Sequence, residues 1–109
     1  MIIPKRIDLL MVRNGDFDPQ FQLFGADGTP ASLIGFTFDG YMKKDHNSTT
    51  QIDLHVSVTD YGSGTIGMYL DHTVTSGTKY SQGIYAVRMT QPNFRVYPII
   101  YGSIEVVGG

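Results

Sequence analysis

Three histidines and a handful of aspartates are the residues whose types could bind a metal ion. Asp53 and His55 would share one face of a predicted strand and could offer two ligands to one ion. The chain has neither the spacing of paired zinc-binding histidines nor a carboxylate-rich calcium loop. A solvated polar surface is therefore the favoured interpretation, and no metal or other cofactor is expected. The remaining candidate ligands are His46, His72, Asp16 and Asp18.

Nucleophilic catalysis or phosphate binding would require a recognisable sequence motif around a serine, histidine or glycine. The sequence contains no nucleophile elbow, no glycine-rich phosphate loop and no pair of glutamates that could act in acid–base catalysis. Gly62, Ser63 and Gly64 resemble a fragment of a phosphate loop, but they lie between two predicted strands and no helix follows. A turn is the favoured interpretation of this segment. The expectation is a protein that is not an enzyme.

Tyrosines on outward strand faces could form a third kind of site, because a phenol ring combines a large apolar area with a polar tip. Such rings can stack on sugars, and they suit protein interfaces equally well. Because the chain has no tryptophan, the interface is favoured, and a carbohydrate- or receptor-binding module is the alternative. The tyrosines expected to face outward are Tyr41, Tyr69, Tyr97 and Tyr101.

The totals of the chain exclude several other classes of function. Its 109 residues fit one domain over 1–109, with an N-terminal arm at 1–5. The absence of cysteine excludes disulfides and thiolate metal sites. The net charge is −2 and the basic residues form no stripe, so nucleic acid is not an expected partner. No apolar run approaches the ~20 residues of a membrane span, and no secretory signal is visible, so we expect synthesis in the cytoplasm and no membrane partner.

Alternation of apolar and polar residues, with glycine-bearing turns between, predicts about seven strands. The clearest alternation lies at 51–59, which should form a hairpin with the following strand. The segment 72–82 is expected to be a long loop or a single helical turn. Pro19 predicts an edge position or a bulge, and Pro98 and Gly102 predict a bent or bulged last strand. The predicted strands are 6–12, 17–24, 35–44, 51–59, 65–71, 83–89 and 96–107.

This number and spacing of strands predicts an all-β protein, an immunoglobulin-like antiparallel β-sandwich of about seven strands. One local feature favours that class. Gly83 stands two residues before Tyr85 at the start of a late strand, as in the tyrosine corner, where the hydroxyl bonds to backbone upstream. The alternative is that Tyr85 is an ordinary half-buried strand tyrosine.

Apolar residues near the two ends of the chain exceed what one sandwich core can cover. Contiguous exposed apolar area usually marks an interface, so we expect the N-terminal arm and the last strand to contact other subunits. Pairing of an open strand edge is one way in which they could do so. The alternative is that both strands are central and covered on both faces. If the terminal segments contact other subunits, removal of residues 1–5 should weaken assembly and leave the fold intact. The expected interface residues are Ile2, Ile3, Leu10, Val12, Tyr97, Ile99 and Tyr101.

Four sequence segments follow one another in a characteristic order along nearly the whole chain. They are DGTPASLIGFTF at 27–38, GTIGMYL at 64–70, GIYAV at 83–87 and YGSIEV at 101–106. Together they resemble the small β-sandwich domains of tailed-bacteriophage baseplate and tail-fibre proteins, including the N-terminal domains of upper baseplate proteins.

The resemblance implies a non-enzymatic virion structural protein, a baseplate or tail-fibre connector that docks neighbouring tail proteins. It would be made in the host cytoplasm and located in the virion tail. Its partners would be other tail, baseplate or fibre proteins, and it would be a homo-oligomer within the virion. Domains of this family usually precede a fibre or receptor-binding region, whereas only two glycines follow Val107. That difference favours a free-standing connector or decorating subunit, and a capsid decoration protein is a further alternative.

Overall fold

The computed structural model describes residue 2 and residues 4–108, and it confirms that the protein is mostly β. Most elements follow the predicted alternation closely, and the hairpin over 52–69 and the short helix at 72–76 lie where they were expected. The elements of the described chain are β1 (Lys5–Arg6), β2 (Leu9–Val12), β3 (Gln20–Gln22), β4 (Thr37–Lys43), β5 (Ile52–Asp60), β6 (Thr65–Tyr69), α1 (His72–Ser76), β7 (Gln82–Thr90) and β8 (Val96–Val107).

The strands form one mixed sheet that curls on itself, in the order β1-β8-β7-β4-β5-β6-β3, with β2 also paired to β8. Strand β5 connects the two halves of this sheet. Near its start, Leu54 lies opposite Gly40 of β4. Further along, Val56 lies opposite Met68 of β6. Strand β3, which begins directly after Pro19, ends the order as an edge strand, the first of the two alternatives that Pro19 predicted.

The prediction of a wholly antiparallel arrangement is wrong for the first and last strands. Strands β1 and β2 run parallel to β8, with Lys5 opposite Ile100 and Val12 opposite Val107. A parallel pair requires a long crossover between its strands, and here almost the whole chain supplies it. Local alternation cannot reveal such a pairing, because paired residues such as Lys5 and Ile100 lie 95 positions apart in the sequence.

Two predicted strands differ in extent from the prediction, because the strand expected at 6–12 is divided into β1 and β2 and the strand expected at 17–24 is shorter. The strand expected at 17–24 is reduced to β3, and isolated bridges join Phe17 to Leu70 and Phe24 to Pro30 on either side of it.

Helix α1 is capped by the carboxylate of Asp71, which accepts hydrogen bonds from the backbone N–H groups of Thr73 (3.0 Å) and Val74 (3.1 Å). These bonds stabilise the first turn of α1, which lies between β6 and β7.

The inner face of the curled sheet buries one cluster of apolar side chains. Leu33 belongs to this cluster although it lies in the loop before β4, and its side chain is completely buried. Burial of each such side chain contributes about 1.5–3 kcal/mol. The core therefore depends on this loop as well as on the strands. Other members with under 2% exposure are Met11, Met42, Ile66, Met68, Leu70, Val87, Ile99, Ile100 and Ile104.

Candidate docking site

Four of the predicted interface residues surround one apolar pocket beside the β7–β8 hairpin. The pocket has a volume of about 220 Å³. Its size and lining suit a single apolar side chain rather than a large polar ligand. The N-terminal segment forms one wall, the end of β7 a second and β8 the third. The lining residues are Ile2, Pro4, Met89, Gln91, Tyr97, Pro98, Ile99 and Tyr101. We call this the apolar pocket.

A bulge in β8 shapes the wall of the apolar pocket. Val87 lies opposite Ile100, whereas the next residue of β7, Arg88, lies opposite Pro98, so Ile99 is the extra residue. Because one extra residue changes the alternation of side chains, Ile99 and Ile100 are both buried. Pro98 itself is exposed. The bulge is present where Pro98 predicted one.

Two of the expected interface residues belong to the core of their own chain. Ile2 is 7% exposed and bridges to Gly25, and Ile99 is 1% exposed. They are therefore not the exposed contact residues that the sequence suggested, although both help to line the apolar pocket. Because Ile2 packs in the core, removal of residues 1–5 is now expected to destabilise the fold as well as to weaken assembly. Ile3 lies outside the described residues.

The remaining expected interface residues are accessible. Leu10 and Val12 are 57% and 54% exposed, and they lie on β2 opposite Glu105 and Val107 of β8. They form a second apolar surface, separate from the lining of the pocket, which we call the β2 strip. Tyr101 is 44% exposed and Tyr97 is half-buried. Apolar groups thus reach solvent at two places along the paired β2 and β8 strands.

A buried tyrosine ties the N-terminal strand to the rest of the sheet. The hydroxyl of Tyr85 donates a hydrogen bond to the carbonyl oxygen of Ile7, and the side chain is 2% exposed. The acceptor lies 78 residues away in the sequence, whereas a tyrosine corner bonds to backbone only a few residues upstream. Burial, with a further contribution from Asp8, raises the pKa of Tyr85 far above its ordinary value.

Further bonds hold the same segment against β8. The N–H of Ile7 donates to the carbonyl oxygen of Tyr101 at 2.9 Å, and the carboxylate of Asp8 accepts the N–H of Ser103 at 3.0 Å. Hydrogen bonding from Ser103 lowers the pKa of Asp8. We call Ile7, Asp8, Tyr85 and Ser103 the N-terminal anchor. Because Ile2 and Pro4 directly precede it, the anchor positions one wall of the apolar pocket.

Replacing Tyr85 with phenylalanine should destabilise the protein by about 1–3 kcal/mol, because the carbonyl of Ile7 loses its buried donor. The variant should also change the response to alkali. In the wild type the raised folded pKa means that stability is complete below the unfolded tyrosine pKa of about 10 and falls as pH rises above it, by up to about 1.4 kcal/mol per pH unit. The Tyr85→Phe variant lacks this contribution.

Urea unfolding at pH 8 and at pH 11 measures both effects. The difference between the two proteins should shrink at the higher pH, since only the wild type loses the Tyr85 contribution there. Tyr61→Phe is the control, because Tyr61 is 52% exposed and its loss of a hydroxyl should alter stability by no more than about 0.5 kcal/mol. An equal difference at both pH values would show that Tyr85 does not act through a buried hydroxyl.

The polar candidates from the sequence are spread over the surface. His72 Nδ1 lies 3.3 Å from a carboxylate oxygen of Asp16, so these two residues do come together. Asp53 and His55 are exposed on the outer face of β5, as predicted. Within residues 2 and 4–108, no three histidine, aspartate or glutamate side chains are grouped so that they could hold a metal ion.

Tyr41 is already in contact with cations of its own chain. Lys43 Nζ and Arg88 Cζ each lie 5.4 Å from the centre of its ring, which is within the range of cation–π attraction. Arg88 also pairs with the carboxylate of Asp39. Tyr69, in contrast, is 46% exposed and lines a shallow groove of about 440 Å³ where β5 leaves β4.

The most exposed large apolar residue of the described chain was not among the sequence candidates. Phe94 lies in the turn between β7 and β8, is 88% exposed and has a φ of 64°. The turn is closed by bonds from the N–H of Phe94 to the carbonyl of Gln91 and from the N–H of Gln91 to the carbonyl of Arg95, both 2.9 Å. An aromatic residue directly after Pro92-Asn93, where such turns favour glycine, is the signal that could have identified it.

No family model and no curated protein sequence matches the chain. In the part of the chain that the structure describes, no helix has the length and apolar character needed to cross a membrane.

Proposed function

We propose that this protein is a structural protein of a tailed-bacteriophage virion, a baseplate or tail-fibre connector that docks neighbouring tail proteins and catalyses no reaction. The observation that carries the proposal is the presence of two apolar surfaces beside β8: the preformed apolar pocket, and the exposed β2 strip, Leu10 and Val12, on the strand paired with β8. Exposed apolar area of this kind is typical of protein interfaces. The order of segments shared with phage baseplate and fibre domains supports the same assignment.

We also infer that the curled sheet is an immunoglobulin-like sandwich. Such sandwiches place strands B, E and D in one sheet and C, F and G in the other. The pairings β3-β6-β5 and β4-β7-β8 follow that pattern when β3 to β8 are taken as B to G. Two departures accompany it: β5 pairs with both halves, and the first strand pairs mainly with the last.

Docking in this proposal depends on rigidity. The N-terminal anchor fixes Pro4 against β8, so the apolar pocket exists before a partner arrives and little ordering is needed on binding. The β2 strip adds apolar contact area. In the described chain, β2 has a strand partner on one side only, and its other edge can accept a strand from a neighbour. The partners would be other tail proteins, with no nucleic acid or membrane involved.

Mass spectrometry of purified phage particles tests the proposal. A tailed phage that encodes the chain should retain it in its particles after density-gradient purification. Replacing both residues of the β2 strip, Leu10→Asn and Val12→Asn, should lower incorporation about tenfold while circular dichroism stays unchanged. Tyr61→Ser is the matched control, since Tyr61 is comparably exposed in a different turn.

Absence of the wild-type chain from the particles would contradict a virion role. Glycan binding by the free protein, lost on Tyr69→Ala, would then favour a receptor-binding module at the groove beside Tyr69.

A further inference from the structure

Phe94 occupies a backbone conformation that its side chain disfavours. Its φ of 64° lies in the left-handed region, where glycine and asparagine are common and bulky residues are rare. The turn consists of Pro92 and Asn93 followed by this left-handed residue, a type of hairpin connection that normally carries glycine at that position. Phenylalanine therefore reduces the stability of the turn relative to glycine.

No packing within the described chain compensates for this conformation. The side chain of Phe94 is 88% exposed, the largest exposure of any large apolar residue described. A strained residue that makes no stabilising contact within its own chain points to a contact with another molecule. Aromatic residues that lie exposed in the free protein and buried in a complex are common anchors of protein interfaces.

The same chain carries a cavity of suitable size and chemistry for this side chain. The apolar pocket of about 220 Å³ exceeds the ~150 Å³ at which an apolar protein cavity binds benzene. Two tyrosines and two prolines line it, and none of its described lining residues is charged. Aromatic rings and proline rings provide favourable surfaces for a phenyl group. Gln91 and Tyr97, which belong to the lining, flank the turn that carries Phe94.

We propose that Phe94 of one copy of the chain inserts into the apolar pocket of a second copy. This inference rests on the proposed docking role of the pocket and names its occupant. Because Phe94 and the pocket belong to the same region of the surface, two copies can exchange these contacts reciprocally. The exposed turn and the apolar pocket are then the two halves of one self-complementary contact.

Substitution of Phe94 separates this role from a structural one. Light scattering over a concentration series should show a discrete oligomer for the wild type. The Phe94→Gly variant should weaken association at least about tenfold. The same variant should raise Tm by about 4 °C or more at concentrations where both proteins are monomers, because glycine relieves the left-handed strain. A residue with only a structural role would not give opposite effects on association and stability.

A pocket variant and a matched control complete the set. Tyr101→Ala removes part of the pocket wall and should also weaken association about tenfold. Tyr61→Ala should leave association unchanged, since Tyr61 is an exposed aromatic residue of a different turn. Circular dichroism verifies that each variant is folded.

Photo-cross-linking identifies the contact directly. Benzoylphenylalanine is placed at position 94 in a mixture of ¹⁵N-labelled and unlabelled copies. Cross-links of mixed label to the peptide that contains Tyr97 and Tyr101 are the expected result. A wild type that stays monomeric at every concentration, or mixed-label cross-links only to other surfaces, would overturn the proposal. In the first case the presence or absence of the chain in phage particles still decides the docking role, so the two proposals fail separately.

Discussion

Replacing Gly102 with alanine should destabilise the protein by about 3 kcal/mol or more and lower Tm by more than about 10 °C. A Cβ at this position would lie well within 3.0 Å of the carbonyl oxygen of Ile7 and 2.9 Å from a carboxylate oxygen of Asp8. The backbone atom cannot move aside, because the N–H of Ile7 is bonded to Tyr101 and its carbonyl accepts the hydroxyl of Tyr85. The new methyl group therefore forces the N-terminal anchor away from β8.

Thermal and urea unfolding measure the loss, and amide hydrogen exchange at Ile7 and Ser103 locates it. Exchange at these two amides should accelerate more than at the centre of β7. Gly15→Ala is the matched control, since the nearest atom to its added Cβ is the carbonyl oxygen of Val12 at 3.6 Å, an ordinary contact. If Gly102→Ala were as stable as Gly15→Ala, close packing of the anchor on β8 would be excluded.

Replacing Gly64 with alanine should cost about 4 kcal/mol or more. Two causes add at this position. The φ of 71° is left-handed, which costs about 1–2 kcal/mol for a residue with a Cβ. The added Cβ would also lie 2.6 Å from the carbonyl oxygen of Ala31 and 2.7 Å from that of Leu23. Both are backbone atoms, and the N–H of Leu23 is bonded to the carbonyl of Gly64 itself at 2.7 Å.

Gly28→Ala separates the two causes. Gly28 has a similar φ of 81°, but no atom lies within 4 Å of its added Cβ. This variant should therefore show the conformational cost alone, about 1–2 kcal/mol. Urea unfolding of both variants at one temperature gives the comparison. Equal losses at the two positions would mean that the turn before β6 is not packed against the loop that contains Ala31.

The parts of the fold that depend on local alternation could be predicted from the sequence. Asp53 and His55 lie on the exposed face of β5, and β5 and β6 form a hairpin, because both features follow from neighbouring residues. The edge position of β3 and the bulge at Pro98 were also predictable, since proline cannot donate to a ladder. The parallel pairing of β1 and β2 with β8 was not, because its partners are remote in the sequence.

The candidate site was only partly predictable for the same reason. The surplus of apolar residues in the last strand pointed to Tyr97 and Tyr101, which line the apolar pocket, and their role in an interface stays a prediction. The bulge that turns Ile99 inward depends on the pairing of β8 with β7, which no single segment specifies. The bond from Tyr85 to Ile7 likewise joins residues 78 positions apart. Phe94 was overlooked because a turn residue takes no part in strand alternation.

The parallel pairing of the first and last strands also determines how the domain would bear mechanical load. The ladder runs from Lys5 opposite Ile100 to Val12 opposite Val107, a length of about 25 Å. Tension applied between the two ends of the described chain would pull these strands in opposite directions along their axes. Their hydrogen bonds would then be sheared together, instead of opening one after another. The ties from Tyr85 to Ile7 and from Ser103 to Asp8 lie within this ladder and would add to the force needed to separate the strands.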